Sequence, residues 1–279
     1  MRQIAIQGVA GCYHDAAARE YFAGEDVETV ACDTFQALFD RLAADASMLG
    51  VVAIENTIAG SLLANHELLR TSSLRVIGEF KMRISHVLAA LPGESIESVT
   101  EVHSHPMALM QCEQFLRNHP WMKMVECFDT AGSARDIAAG NLRGHAAVCG
   151  EYAASLYGLD SLARGIETNK RNFTRFLVVA DPLVASECGP REKEIDKASI
   201  EFTLPHRQGA LSKVLTILSF YDMNLTKIQS TPIVGREWEY RFYVDLTFDS
   251  LLRYRQAITA ITPLLNDIRV LGEYREFKV

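Results

Sequence analysis

This sequence has little of what marks several large functional classes. It carries no excess of positive charge: 28 lysines and arginines against 35 aspartates and glutamates leave a net charge of -7. General nucleic-acid binding needs a basic surface, and this charge argues against it. An anionic ligand needs local positive charge or helix N-termini to overcome this background. No apolar run is long enough to span a bilayer, so no membrane association is expected. The start, Met1-Arg2-Gln3-Ile4, enters a strand at once and leaves no room for a signal peptide. The expected setting is cytoplasmic.

Other absences concern chemistry. The six cysteines, at 12, 32, 112, 127, 149 and 188, form no CxxC pair, which points to reduced and mostly buried thiols. Gly8 and Gly11 do not complete GxGxxG and no Walker pattern occurs, which argues against nucleotide binding. No GxSxG motif or recognisable Ser-His-Asp pattern is present. His103 and His105 have no acidic or cysteine partner at ligand spacing, so no metal is expected. At i, i+2 in a strand the two would share a face. There are no solenoid repeats and no low-complexity segments.

What is present is an ordinary globular composition, 48 % apolar and 23 % charged over 279 residues, enough for about two domains. The first 180 residues alternate strand and helix patterns. Strands are expected at 3–7, 51–55, 101–103, 124–128, 146–149 and 176–180, and helices at 15–22, 34–44, 61–70, 107–118 and 133–140. That alternation implies a parallel-rich α/β domain. Two sublobes are expected, about 1–78 plus 165–181, and 79–164, with the chain crossing between them at 75–87. Residues 182–197 are charge-rich, with Pro182, Gly189 and Pro190, and read as an exposed, mobile linker. From 198 to 279 the order is strand, helix, two strands, helix, strand, the ferredoxin-like split unit.

Four strand-to-helix junctions carry small or hydroxyl residues: 8–12, 56–61, 104–106 and 129–133. Ligands of open α/β sheets gather at such ends, where helix N-termini offer free N–H groups. Each junction also fits simple N-capping. Asn172-Phe173-Thr174-Arg175-Phe176 adds a hydroxyl beside a guanidinium, and Arg presents a planar fork that matches a carboxylate. Read by itself, that stretch also fits an exposed strand edge.

Taken together, the motifs resemble the prephenate dehydratase family, a catalytic domain followed by a regulatory ACT domain. The resemblance rests on Gly8-Val-Ala-Gly-Cys-Tyr-His-Asp-Ala-Ala17, Ala53-Ile-Glu-Asn-Thr-Ile-Ala-Gly60, Ser104-His-Pro-Met-Ala-Leu-Met-Gln-Cys112, Asp129-Thr-Ala-Gly-Ser-Ala134 and Asn172-Phe-Thr-Arg-Phe176. In the last third it rests on Gly209-Ala-Leu-Ser212 and Asn224-Leu-Thr-Lys-Ile-Gln-Ser-Thr-Pro232.

The resemblance implies an α/β fold: a two-lobed, periplasmic-binding-protein-like catalytic domain over 1–181, the linker 182–197, and a ferredoxin-like (βαββαβ) ACT domain over 198–279. It implies Thr174 as the catalytic hydroxyl and Arg175 as the cation for a substrate carboxylate, with His14, His66 and His86 as possible auxiliary donors. Asn172, Phe176, Glu55, Asn56, Thr57, Thr130, Gln111, Gly11, Cys12 and Tyr13 would line the cleft. The reaction implied converts prephenate to phenylpyruvate with loss of water and carbon dioxide, and it needs no cofactor and no metal.

Departures from the family pattern are Cys12 and His14 in the first turn, Thr57 in place of Ser, and Asp129, expected to cap a helix and point away from the site. Phenylalanine is the implied effector, held by Gly209, Ala210, Leu211, Asn224, Leu225, Gln229 and Ser230. Gln229 and Thr231 replace a carboxylate and a guanidinium of the family's segment there. Pairing of ACT domains implies a homodimer or tetramer. No mutase domain is expected before Met1. Arogenate dehydratase and a non-catalytic amino-acid sensor are the alternative functions.

Overall fold

The structure, a computed structural model, describes residues 1–233 and 235–278. Its first sheet runs in the order Val27–Cys32, Arg2–Gln7, Leu49–Asn56, Phe173–Ala180, Arg75–Arg83, with the short Gly60–Ser61 strand paired to Leu49–Asn56. Residues 49–54 are buried without a break, the pattern of a strand covered on both faces. The second sheet runs Asp160–Arg164, Val87–Ala90, His145–Cys149, Glu101–Ser104, Lys123–Glu126. Its last three strands are mutually parallel, and Val87–Ala90 pairs antiparallel on both sides. The third sheet, Asn224–Pro232, Tyr240–Thr247, Lys197–Thr203, Asp267–Tyr274, is antiparallel throughout. With the helices Ala210–Phe220 and Leu251–Ile261 it forms the expected βαββαβ unit.

The chain packs as two compact units. One comprises Met1–Arg41, Gly50–Gly60 and Lys81–Phe176; the other comprises Leu42–Leu49, Ser61–Phe80 and Leu177–Val279. A core of the first unit gathers Leu88, Val102, Leu109, Leu116, Val148 and Ile166. A core of the second gathers Ile200, Phe202, Leu218, Val244, Leu246 and Tyr254. Burying each such side chain contributes roughly 1.5–3 kcal/mol.

Within the second unit the βαββαβ element is fastened to residues 61–80. Lys197, at the start of its first strand, is buried with its Nζ 2.9 Å from Glu79 Oε1. The Phe277 N–H donates to the same Glu79 oxygen at 3.1 Å, so the buried carboxylate is solvated by protein. Tyr243 donates to Glu67 at 3.3 Å, and Arg269 donates to the carbonyls of Arg70 and Ser72. Gly272 lies so close to Val76 that a Cβ would collide with the Val76 backbone.

Several elements differ from expectation. Val27–Cys32, Val87–Ala90 and Asp160–Arg164 are additional strands; the first and third are half-exposed sheet edges with no clean apolar alternation. The 107–118 helix is two short helices, Pro106–Gln111 and Glu113–Arg117, broken at Cys112. Residues 182–197 contain the helix Pro182–Cys188, capped by Asp181 with Pro182 in its first turn, and a 3-10 turn at Glu192–Glu194. Half of the segment's residues are exposed, but it is not irregular chain. His105 lies outside the Glu101–Ser104 strand and caps the following helix, its Nδ1 accepting from the Met107 N–H at 3.2 Å. It therefore does not share a strand face with His103. No described helix is long and apolar enough to cross a membrane.

Candidate active site

The polar centre of the first unit is built where Leu49–Asn56 ends and Phe173–Ala180 begins. The Thr57 N–H donates to the Phe173 carbonyl at 2.9 Å. The Thr57 hydroxyl donates to the Arg171 carbonyl at 3.0 Å and accepts from the Phe173 N–H at 2.9 Å. Thr57 is thereby committed to fixing the strand register, with its hydroxyl proton already engaged.

Asn56 is oriented without ambiguity. Its Oδ1 accepts the backbone N–H groups of Ile58 and Ala59 at 2.9 and 2.8 Å, and an N–H can only donate. The amide Nδ2 therefore faces the other way, donating to Thr174 Oγ1 at 2.9 Å and to Asn172 Oδ1 at 2.8 Å. Because Thr174 Oγ1 accepts from an amide there, its own proton is left to be donated to something else.

The polarity continues inward. Asn172, fully buried, donates through Nδ2 to Gln111 Oε1 at 3.0 Å. Gln111 Oε1 also lies 3.0 Å from His86 Nε2, which makes that nitrogen the protonated one. His86 Nδ1 then accepts, and the Tyr13 hydroxyl is 2.8 Å from it and equally close to the Ser85 carbonyl. Burial holds the His86 imidazole below its usual range, against the Gln111 contact, which acts to raise it. Burial pushes the Tyr13 hydroxyl well above its usual range. Both groups stay neutral. Glu167, also buried, accepts the His86 backbone N–H at 2.9 Å and faces Arg83 at 3.2 Å.

Thr174 and Arg175 are consecutive in one strand, so their side chains leave on opposite faces. Thr174 accordingly meets Asn56, whereas Arg175 has Glu55 Oε2 3.9 Å from its guanidinium. Both are buried, at 9 % and 8 % exposure. Phe176 is a core residue, its ring 5.1 Å edge-on to the His14 ring. His14 accepts the Ala53 N–H through Nε2 at 3.4 Å, and burial lowers its pKa to about 4. His66 belongs to the second unit, packed on the Tyr243 ring.

The first-turn residues serve the backbone. Gly11 has φ +85° and packs on Ala153 and Leu156 where a Cβ would be crowded, and its N–H donates to Asp15 at 2.7 Å. Cys12 is buried beside the Gln7 carbonyl, and burial pushes its thiol up to about 12. Thr130 opens the helix Thr130–Gly140, which Asp129 caps by accepting the Gly132 N–H at 2.7 Å.

The structure thus joins Tyr13, Asn56, Gln111, Asn172 and Thr174 into one hydrogen-bonded chain. His86 completes it; the sequence placed it only among possible auxiliary donors. Glu167 was missed, since an isolated Glu in a polar stretch carries no sequence signal. A second oversight is the Glu101-x-His103 spacing, which the structure brings against His145.

In the second unit, Gly209 has φ +75° and precedes the Ala210–Phe220 helix. Ala210 and Leu211 line a small cavity with Leu204, Arg207, Trp238 and Tyr240. Asn224, Leu225, Gln229 and Ser230 lie on the Asn224–Pro232 strand, at one end of the sheet order. Gln229 and Ser230 pair with Tyr243 and Phe242.

This architecture has counterparts among known proteins. The family model for prephenate dehydratase matches residues 4–182. The chain therefore belongs to the prephenate dehydratase family, whose members are carbon–oxygen lyases. Arogenate dehydratase 5, chloroplastic, of Arabidopsis thaliana is 37 % identical over 293 residues, covering 98 % of this chain and 67 % of that protein. The chain spans about two thirds of the length of such curated relatives.

Among solved structures, the prephenate dehydratase of Arthrobacter aurescens in complex with L-Phe has a TM-score of 0.85 at 27 % identity, covering 98 % of this chain and 90 % of that one. The quorum-quenching acylase GqqA gives the same TM-score and identity, covering 99 % and 98 %. The fold is that of the prephenate dehydratase structures, periplasmic-binding-protein-like α/β lobes followed by a βαββαβ domain.

Proposed function

We propose that this chain catalyses the decarboxylative dehydration of prephenate to phenylpyruvate, with Thr174 assisting departure of the ring hydroxyl. The observation that carries the proposal is the Asn56 amide fixed by Ile58 and Ala59, which leaves the Thr174 proton available to a ligand. In the reaction the bond from ring carbon to carboxylate breaks and its electron pair moves through the diene. The carbon–oxygen bond breaks opposite it, and the leaving oxygen takes one proton to depart as water. Aromatisation drives the flow, so the protein has only to hold the substrate and supply a donor. Positioned proton donation of this kind contributes about 10²–10⁴-fold.

Arg175 is assigned the substrate carboxylate. Because Arg175 leaves the strand on the face opposite Thr174, with Glu55 3.9 Å from its guanidinium, the clamp requires the long arginine side chain to give up Glu55 and reach past the start of the strand to the ligand that Thr174 meets. Asn172 and Tyr13 act behind Thr174, Asn172 held between Asn56 and Gln111 and Tyr13 between His86 and the Ser85 carbonyl. Residues 1–181 are assigned catalysis and 198–279 regulation, joined by 182–197. Phenylalanine is the proposed effector, in keeping with L-Phe in the Arthrobacter structure. The Asn224–Pro232 edge, where alternate residues are exposed, suits pairing with a second copy in a dimer or tetramer. Six cysteines, four of them buried, suit a reducing, cytoplasmic setting.

Arogenate, which would give phenylalanine directly, is the second reading, favoured by the Arabidopsis relative's name. The test is turnover of prephenate and arogenate in parallel, each with a phenylalanine titration. Phenylpyruvate formation that phenylalanine inhibits is expected. Preferential turnover of arogenate would transfer the assignment, and turnover of neither would end it.

A further inference from the structure

The second sheet carries a cluster that the dehydration does not use. Glu101 and His103 project from one face of the Glu101–Ser104 strand, two residues apart. His145 stands directly opposite Glu101 on the adjacent parallel strand. His103 Nε2 lies 2.9 Å from His145 Nδ1, and Glu101 Oε2 lies 3.3 Å from the former and 3.7 Å from the latter. All three side chains are partly exposed, at 17 %, 28 % and 29 % for His103, His145 and Glu101, so an ion can reach them.

We propose that Glu101, His103 and His145 form a binding site for a borderline divalent transition-metal ion, zinc above all. The triangle of donor atoms has the right size. From the three separations, a point equidistant from all three atoms lies about 2 Å from each, the length of Zn–N and Zn–O bonds. An ion therefore fits slightly out of their plane with almost no side-chain movement. The imidazole that donates in the His103–His145 contact moves its proton to its other ring nitrogen, which frees a lone pair for the ion and leaves the ring neutral.

The surroundings have the form of an outer shell. Glu101's other oxygen, Oε1, is held by Lys123 at 3.0 Å, which leaves Oε2 to act as a single-oxygen ligand. His103 Nδ1, on the far side of the ring, is 3.8 Å from Cys127 Sγ, so the ring orientation that directs Nε2 inward is supported from behind. Two imidazoles and one carboxylate select zinc, copper or nickel over calcium and magnesium, which demand oxygen ligands.

The competing account is a hydrogen-bonded trio that needs no ion. The experiment uses the full chain stripped with a chelator and titrated with Zn²⁺ alone in a calorimeter, followed by the absorption spectrum of the Co²⁺ form. One ion per chain is expected, with a Co²⁺ spectrum lacking sulfur-to-metal charge transfer. Binding should weaken at least about tenfold in His145→Ala and in Glu101→Gln, and survive in Cys188→Ser, which removes an exposed thiol. Glu101→Gln keeps the side chain's shape and serves if His145→Ala does not fold. No bound ion, unchanged affinity in the folded Glu101→Gln variant, or loss of binding in Cys188→Ser would each overturn the proposal.

Discussion

The orientation of the Thr174 hydroxyl traces back to two backbone N–H groups that it never touches. Ile58 and Ala59 hold the oxygen of Asn56, the Asn56 amino group then donates to Thr174, and the Thr174 proton is left to be donated elsewhere. Asn56→Asp tests this chain of orientation with a nearly isosteric change. The new carboxylate keeps the two backbone bonds but accepts where Asn56 donated, so Thr174 would spend its proton on it. At saturating substrate kcat should fall on the order of 100-fold, the scale of a misplaced catalytic group, with the circular dichroism spectrum preserved. Wild-type kcat in the folded variant would contradict the orientation argument.

The pairing of residue types was legible in the sequence: Asn-Phe-Thr-Arg-Phe and Glu-Asn-Thr both stood out as polar runs at strand ends. What adjacency concealed is that neighbours in a strand face opposite ways, so Thr174 belongs with Asn56 and Arg175 with Glu55. The same blindness hid His145, whose place beside Glu101 and His103 depends on strand pairing across 42 residues.

At the scale of elements, the central strands were readable because burial on both faces makes them continuous apolar runs, as in residues 49–54. Val27–Cys32 and Asp160–Arg164 were not, since they end their sheets and carry polar residues on half-wet surfaces. The Pro182–Cys188 helix was read as linker because Pro182 and Gly189 are punctuation at both ends of a helix as readily as in a loop.

The Asp267–Tyr274 strand offers a sharper test of packing. Gly272 meets the Val76 backbone where a methyl group has no room, so Gly272→Ala must shift one strand against residues 61–80. A loss of at least about 2 kcal/mol is expected, in the range of overpacked sites, visible as a lowered midpoint in denaturant unfolding. An unchanged midpoint would mean that this close approach is not maintained in solution.

For the molecule as a whole, the order of elements was enough to anticipate an α/β architecture followed by a βαββαβ unit. The buried Lys197–Glu79 pair could not be anticipated, because neither residue sits in an apolar pattern that signals burial. It ties the start of the last sheet to residues 61–80 within one packed unit, and either charge left alone there is costly.

The central claim is that this chain is a dehydratase whose leaving-group donor is Thr174. The most direct measurement is the steady-state rate of phenylpyruvate formation from prephenate by Thr174→Val beside the unaltered protein. Valine keeps the branched shape and removes only the hydroxyl. The account predicts a kcat lower by about 100-fold or more with a modest change in KM. A folded Thr174→Val protein turning over prephenate at close to the unaltered rate would contradict it.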